Sequence, residues 1–408
     1  MIGNFTGADR TAAVAAVGAN SPLIGLIVNL FIGIALGTNV VIANAVGQGN
    51  KEDVGKAVHT SVLLALLGGF AVACVGELLA EPLLGLLNVP EDVFPLALLY
   101  LRIYLAGMPV ILLYNFEAAI FRSVGETKIP LIALATSGIL NVMLNLFFVA
   151  VLHMTVNGIA IATVISNGVS SILLYRRLRQ TTQGVHLEPK QLRMDIGMLK
   201  RILRIGLPAG LQSAMFSVSN IVIQAAIISL GTVVMVASSA AFNIEVITYY
   251  ILNSFSQACT TFVGQNFGAG ELRRCRKTLL LCIAEGILAL TAAIATILFF
   301  GKSLLVIFNS DPEVVNTGYI RLVMVMLSAL TMLISVQIKG VILSTIGCMF
   351  FVLTQESSAL CSPGLIWSIA ISPLLTPSAP EGAQSRPWLL QSFVWSYRER
   401  YQSSRRGG

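Results

Sequence analysis

Long uncharged stretches broken by short charged ones set the pattern of this chain. Nine apolar runs stand out, at 22–46, 57–79, 94–121, 129–152, 156–175, 205–230, 235–263, 279–300 and 315–346. A helix crosses the ~30 Å hydrocarbon layer of a bilayer with about 20 apolar residues, and each run is near or beyond that length. The alternating ten-residue segments of a barrel are missing, so helices must satisfy the backbone inside lipid. The expected fold is an all-α polytopic membrane protein with about nine spans. Residues 1–21 (MIGNFTGADRTAAVAAVGANS) are small and only mildly apolar, which predicts a loop with a short helix.

Composition agrees with that solvent. Of 408 residues 56% are hydrophobic and 11% charged, against about 25% charged in soluble domains, and the mean hydropathy is +0.83. The net charge of +7 would suit a nucleic-acid partner if it were spread over a soluble surface. It is instead gathered beside the spans: eight basic residues lie between Arg176 and Arg204, and Arg273, Arg274, Arg276 and Lys277 follow the run GQNFGAG (264–270). Basic residues flanking spans mark the cytoplasmic side, so the chain is expected to bind a lipid bilayer and no nucleic acid. The loop 81–92, with Glu81, Glu91 and Asp92 and no basic residue, falls outside on the same rule, and the sides alternate consistently along the nine spans. The six cysteines include no CxxC pair and lie mostly in or beside spans, as small buried apolar residues do. The start shows no basic segment leading into an apolar one, so no cleavable signal is expected.

The pattern repeats once. GQGNKEDVGK (47–56) and GQNFGAG with its basic cluster each follow one long uncharged span and precede another, which aligns GQG (47–49) with GQN (264–266). NFTGADRTAAVAA (4–16) likewise resembles SLGTVVMVASSAA (229–241), and NFEAAIFRSVG (115–125) resembles QIKGVILSTIG (337–347). Two lobes in one order and orientation are a transporter pattern. The expected division is a first lobe at 1–178, a basic cytoplasmic connection at 179–204, a second lobe at 205–347 and an atypical tail at 348–408. By this repeat the first lobe lacks an opening span and the second lacks two closing ones, six spans per lobe being the full count.

Ionisable groups at bilayer depth cost roughly 2.5–3.5 kcal/mol on insertion scales, so each needs a reason. Glu245 is the sole charge between Met235 and Val263, and Tyr249, Asn253 and Gln257 follow it at four-residue steps on one helical face. Burial disfavours its charged form, so it can take a proton or sodium ion and exchange it for another cation. A carboxyl tied to a neighbouring helix is the alternative. Glu117, in YNFEAAIFR (114–122), is the second coupling candidate, with snorkelling or packing as its alternative. Tyr114, Asn115, Asn39, the pair Asn141 and Asn145, and the pair Asn220 and Gln224 could line a substrate cavity or tie helices together. Glu285 reads as packing, and Arg102, Arg321 and Lys339 as snorkelling cations. The glycine runs lack a Lys-Ser/Thr pair and a strand, so helix exits explain them better than phosphate cradles. HExxH, Walker and GxSxG motifs are missing, and three histidines leave little for a metal site. No enzyme, no cofactor and no metal centre are expected, apart from a possible sodium site near Glu245.

The motifs GQGNKEDVGKAV and SQACTTFVGQNFGAGELRRCRK, arriving in this order and spacing, resemble the multidrug and toxic compound extrusion (MATE) family. YNFEAAIFRSVGETKIPL resembles that family's fourth helix and its exit, and IGLPAGLQ (205–212) the opening of its seventh. The resemblance covers about residues 1–347. It implies two six-helix lobes around a central cavity, rocking exchange, and export of small organic cations or drugs against Na+ or H+ by a plasma-membrane monomer. It also places Glu245 on a second-lobe carboxylate of the family. The helix that carries a first-lobe carboxylate in many members has no counterpart here, and span 315–346 lacks the aspartate that some members use. A transport-inactive truncated form is therefore an alternative. So is a lipid-linked precursor flippase, which would want more cationic cavity residues than Lys339.

Overall fold

The structure, a computed structural model, describes residues 10–87, 89–181, 184–228, 232–308 and 311–326. Among these residues the regular structure is helical throughout. The helices are α1 (Arg10–Gly47), α2 (Lys51–Leu86), α3 (Phe94–Ala106), α4 (Met108–Ser123), α5 (Lys128–Leu146), α6 (Val156–Gln180), α7 (Ile196–Ile228), α8 (Thr232–Gly268) and α9 (Leu272–Val306). A π-helical turn, Phe147–Val151, extends α5, a short 3-10 turn, Pro189–Gln191, lies between α6 and α7, and residues 312–326 are helical. Among the described residues six helices are long and apolar enough to cross a membrane, and α3 with α4, bent by 49°, are so only when taken together. Large apolar side chains such as Leu131, Ile132, Ile139, Leu288 and Phe299 point outward. That surface is stable only against lipid. The ninth expected span, 315–346, lies beyond the described residues after 326.

Two departures from the sequence reading have local causes. The first long helix starts at Arg10 and runs through Pro22, where a loop with a short helix was expected. Proline removes a backbone donor from a helix interior. Polar side chains beside it fasten the segment instead: the Asn20 amide donates to the carbonyls of Ala16 and, across to α3, Ala97, both at 2.9 Å, and Ser21 Oγ to that of Val17 at 3.1 Å. Ala13 and Ala16 then pack in one core cluster with Ala97 and Leu101. The second departure is the break at Gly107, where span 94–121 divides into α3 and α4. Pro109 cannot donate to the α3 end, and a Cβ on Gly107 would run into the side chain of Val164 on α6. The bend thus lets α4 lie close against α6.

The cores are separate. One joins α1, α2, α4 and α6, and includes Val185 and Leu187 of the connection after α6 together with Met198 and Ile202 at the start of α7. Another joins α8, α9 and helix 312–326, through Ile244, Leu290, Ile294 and Leu322. Between them α1 crosses α7 and α8 on glycine. Gly33 and Gly37 in GIALG face Gly206 and Gly210 in GLPAG, and a Cβ on Gly206 would come within 2.6 Å of the Ile34 carbonyl oxygen. Small residues four apart let backbones approach closely, which substitutes for the hydrophobic drive that lipid removes.

The ends of α1 and α8 are the same motif. Gly49 (φ +69°) and Gly270 (φ +78°) are left-handed. Asn50 N donates to the Ala45 carbonyl at 3.1 Å and Glu271 N to that of Asn266 at 2.9 Å, the six-to-one bonds of a Schellman cap. Superposing the caps sets Gly47 on Gly268, where matching GQG with GQN had set it on Gly264. The repeat is real as a helix end but shifted by one turn of helix. The contacts between the ends obey the shifted register. A Cβ on Gly47 would strike the Gln265 carbonyl, and one on Gly268 the Asn44 carbonyl.

Candidate functional site

Glu245 does not stand in an apolar void. Arg321 reaches it from helix 312–326 with both arms of its guanidinium, Nε donating to Oε1 at 2.8 Å and Nη2 to Oε2 at 3.1 Å. The two side chains are 8% and 11% exposed respectively, so Arg321 is not a snorkelling cation. This planar, bidentate geometry is the strongest form of ion pair. It neutralises the carboxylate and ties α8 to helix 312–326, beside the contact of Thr248 Oγ1 with Met326 Sδ at 3.6 Å.

The polar stripe behind Glu245 fans out. Each four-residue step advances about 400° around a helix, so three steps turn the face by about 120°. Glu245 points into its own core, whereas Tyr249 stacks on Phe216 of α7 with ring centroids 5.8 Å apart and planes 8° apart. Asn253 and Gln257 are half-buried. On α7, Asn220 is half-buried and Gln224 exposed.

Glu117 is the opposite case. Its residue has no exposed surface. Ser171 Oγ on α6 donates to Oε2 at 2.9 Å, and Oε1 is buried with no hydrogen-bond partner. Full burial rules out snorkelling. A carboxylate with one donor and, among the described residues, no counter-cation is costly at this depth, and neutralising it removes most of that cost. Glu117 stands out in the sequence as a charge in an apolar run, but Ser171 does not, since nothing in ISNGVSSILL singles out one of its serines.

The remaining amides divide between ties within and between the halves. Asn141 Nδ2 donates to Ser166 Oγ at 3.2 Å, fastening α5 to α6, and Asn145 Nδ2 donates to Asn141 Oδ1 at 2.9 Å within α5. Asn115 Nδ2 donates to the Ile111 carbonyl in its own helix at 2.8 Å, and Tyr114 is half-buried. Asn39, almost fully buried, accepts from Thr261 Oγ1 at 3.1 Å across the α1–α8 contact. Asn29 Nδ2 donates to Ser217 Oγ at 3.0 Å between α1 and α7. Gln265 Nε2 donates to the Ser123 carbonyl at 2.7 Å, joining α8 to the end of α4. Glu285 is exposed on α9, contrary to a packing role, and Arg102 pairs with Glu77 at 2.9 Å with both half-exposed. Lys339 lies outside the described residues. Among those described, no group of three or more His, Cys, Asp or Glu residues is arranged to hold a metal ion.

Known proteins resemble most of this chain. A family model described as MatE matches residues 2–147 and 208–351. The chain is 28% identical over 337 residues to "Probable multidrug resistance protein YoeA" of Bacillus subtilis (strain 168), covering 80% of this chain and 71% of that protein. It is 25% identical over 317 residues to a protein named "FAD transporter" of Shewanella oneidensis, covering 75% and 69%. A solved structure described as the outward-facing conformation of a multidrug resistance MATE family transporter superposes with a TM-score of 0.72 at 22% identity, over 90% of this chain and 89% of that one. With the glycine-ended repeat, the all-helical fold and a family model matched twice along it, the chain belongs to the MatE family of multi-pass membrane transporters.

Proposed function

We propose that this transporter exports small organic cations from the cell across the plasma membrane in exchange for protons, and that Glu117 is the carboxylate that carries the proton. The observation behind this reading is the contrast between the two buried carboxylates. Glu245 is already neutralised by a forked guanidinium, whereas Glu117 has a buried oxygen without a partner. An exchange site must change its occupant, and Glu117 can do so without breaking an ion pair. Sodium is the less favoured ion there. A dehydrated hard cation wants a shell of oxygens, and the group seen on Glu117 is a single hydroxyl. The names of several relatives as multidrug resistance proteins support drug-like substrates. Movement of a first lobe near 1–178 against a second near 205–347, by a single chain acting alone, is the motion proposed.

The test is dye export by the full chain in proteoliposomes with an imposed pH gradient. Glu117→Gln should abolish gradient-driven export, while the paired change Glu245→Leu with Arg321→Met should retain it. Export by Glu117→Gln at the unmodified rate would overturn the role of Glu117. A sodium gradient driving export where a pH gradient does not would overturn the choice of ion. If the unmodified chain moves no dye under either gradient, the transport-inactive alternative stands.

A further inference from the structure

Three of the cysteines meet in one place that the transport reading does not use. Cys259 on α8 and Cys275 and Cys282 on α9 form a small cluster with Val263, with Phe267 and Leu279 packed on it. The arrangement follows from the hairpin. Because α8 and α9 run antiparallel about the turn at Gly270, residues at similar distances from the turn lie at similar depth, which sets Val263 near Cys275 and Cys259 near Cys282. Cys275 is engaged at the shallow level, its Sγ donating to the Val263 carbonyl at 3.7 Å. At the deeper level Cys259 and Cys282 come from facing helices into the same buried cluster. Cys259 has no exposed surface and Cys282 almost none, and both are free thiols.

We propose that Cys259 and Cys282 form a two-coordinate thiolate site for a thiophilic divalent cation of the Hg2+ class. Soft thiolates select soft d10 ions. Hard cations and tetrahedral zinc need more ligands, and the packed neighbours Val263, Phe267 and Leu279 supply none from their side chains. Charge decides the class further. Two thiols lose their protons and form two S–Hg bonds, releasing two H+ with no change of oxidation state, and the product is electrically neutral. A neutral, linear S–Hg–S unit can be buried among apolar side chains where a charged complex would be expelled. The site would bridge α8 and α9 below the turn, and so stiffen the hairpin whose end, at Gly268, abuts α1.

The experiment uses the full-length protein in detergent with Cys74, Cys348 and Cys361 changed to serine. It is loaded with HgCl2, washed with excess monothiol to strip ions held by a single sulfur, and its retained mercury measured per chain. One equivalent should remain, with the loss of two titratable thiols. Cys282→Ala should lower retention at least tenfold and Cys275→Ala should leave it unchanged. Cys282→Ala alone carries the test if Cys259→Ala fails to fold. No retained mercury in the parent, retention unaffected by Cys282→Ala, or an equal loss in Cys275→Ala would each overturn the site.

Discussion

Arg321→Ala will destabilise the protein by about 3–5 kcal/mol, the usual consequence of removing one member of a buried ion pair and leaving the other charge uncompensated. The geometry sets this expectation: two charge-assisted hydrogen bonds at 2.8 and 3.1 Å on side chains 8% and 11% exposed. Unfolding of the purified protein in mixed micelles, followed against denaturant, measures it. Glu245→Leu combined with Arg321→Met should recover most of the loss, because two apolar side chains of similar volume remove both desolvation terms together. The result bears on function as well as stability. If Glu245 were a freely exchanging carboxylate, Arg321→Ala would leave stability nearly unchanged and alter the pH dependence of transport instead.

Gly47→Ala or Gly268→Ala will open the contact between the ends of α1 and α8. Each added Cβ would strike a backbone carbonyl of the opposing helix, of Gln265 or Asn44. A backbone cannot turn aside as a flexible side chain can, so the helices must separate. Overpacking of this kind costs about 1–3 kcal/mol, which shifts an equilibrium between two arrangements by about 5–150-fold. Asn39→Cys with Thr261→Cys provides the readout on a background without other cysteines, since these side chains hydrogen-bond at 3.1 Å. Disulfide yield should be high in the parent and fall at least fivefold with either alanine. Gly55→Ala is the control, because a Cβ there meets nothing within 4 Å, and its yield should match the parent. Undiminished cross-linking in Gly47→Ala would show that the ends are not held by backbone contact.

What could be read from the sequence follows from what each signal depends on. Span positions depend on composition over about 20 residues, so α2, α5, α6, α8 and α9 appear close to where the apolar runs set them. The start of α1 did not, because Pro22 and small polar residues look like a loop until Asn20 is seen bonded to Ala97, far along the chain. Candidate carboxylates were visible because charge inside an apolar run is conspicuous. Their partners were not. Glu245 and Arg321 are remote in sequence and meet only through the packing of two helices, and Arg321 looked like a span-end cation. The glycine runs were correctly seen as helix exits. That they also set the distance between opposing helices needed the register of the caps, which the letters GQG and GQN misplace by a turn.

The connection between α6 and α7 has a mechanical consequence. His59 Nε2 lies 3.1 Å from the Glu188 carbonyl oxygen and Thr60 Oγ1 accepts from Asp195 N at 3.0 Å. Leu187 is fully buried in the core of the first helices, where Met198 and Ile202 join it. The tether is therefore fastened at Leu187, Glu188 and Asp195, and the opening turns of α7 pack on the body that precedes them. Slack for a swing of one half against the other cannot come from this loop. Under the motion proposed above, it would come from farther along α7, where Pro208 leaves one rung of the helical ladder unmade and Gly206 and Gly210 bracket it. The pivot of such a machine would lie inside a helix, at the level of the bilayer, and lengthening the loop by several residues would leave its range of motion unchanged.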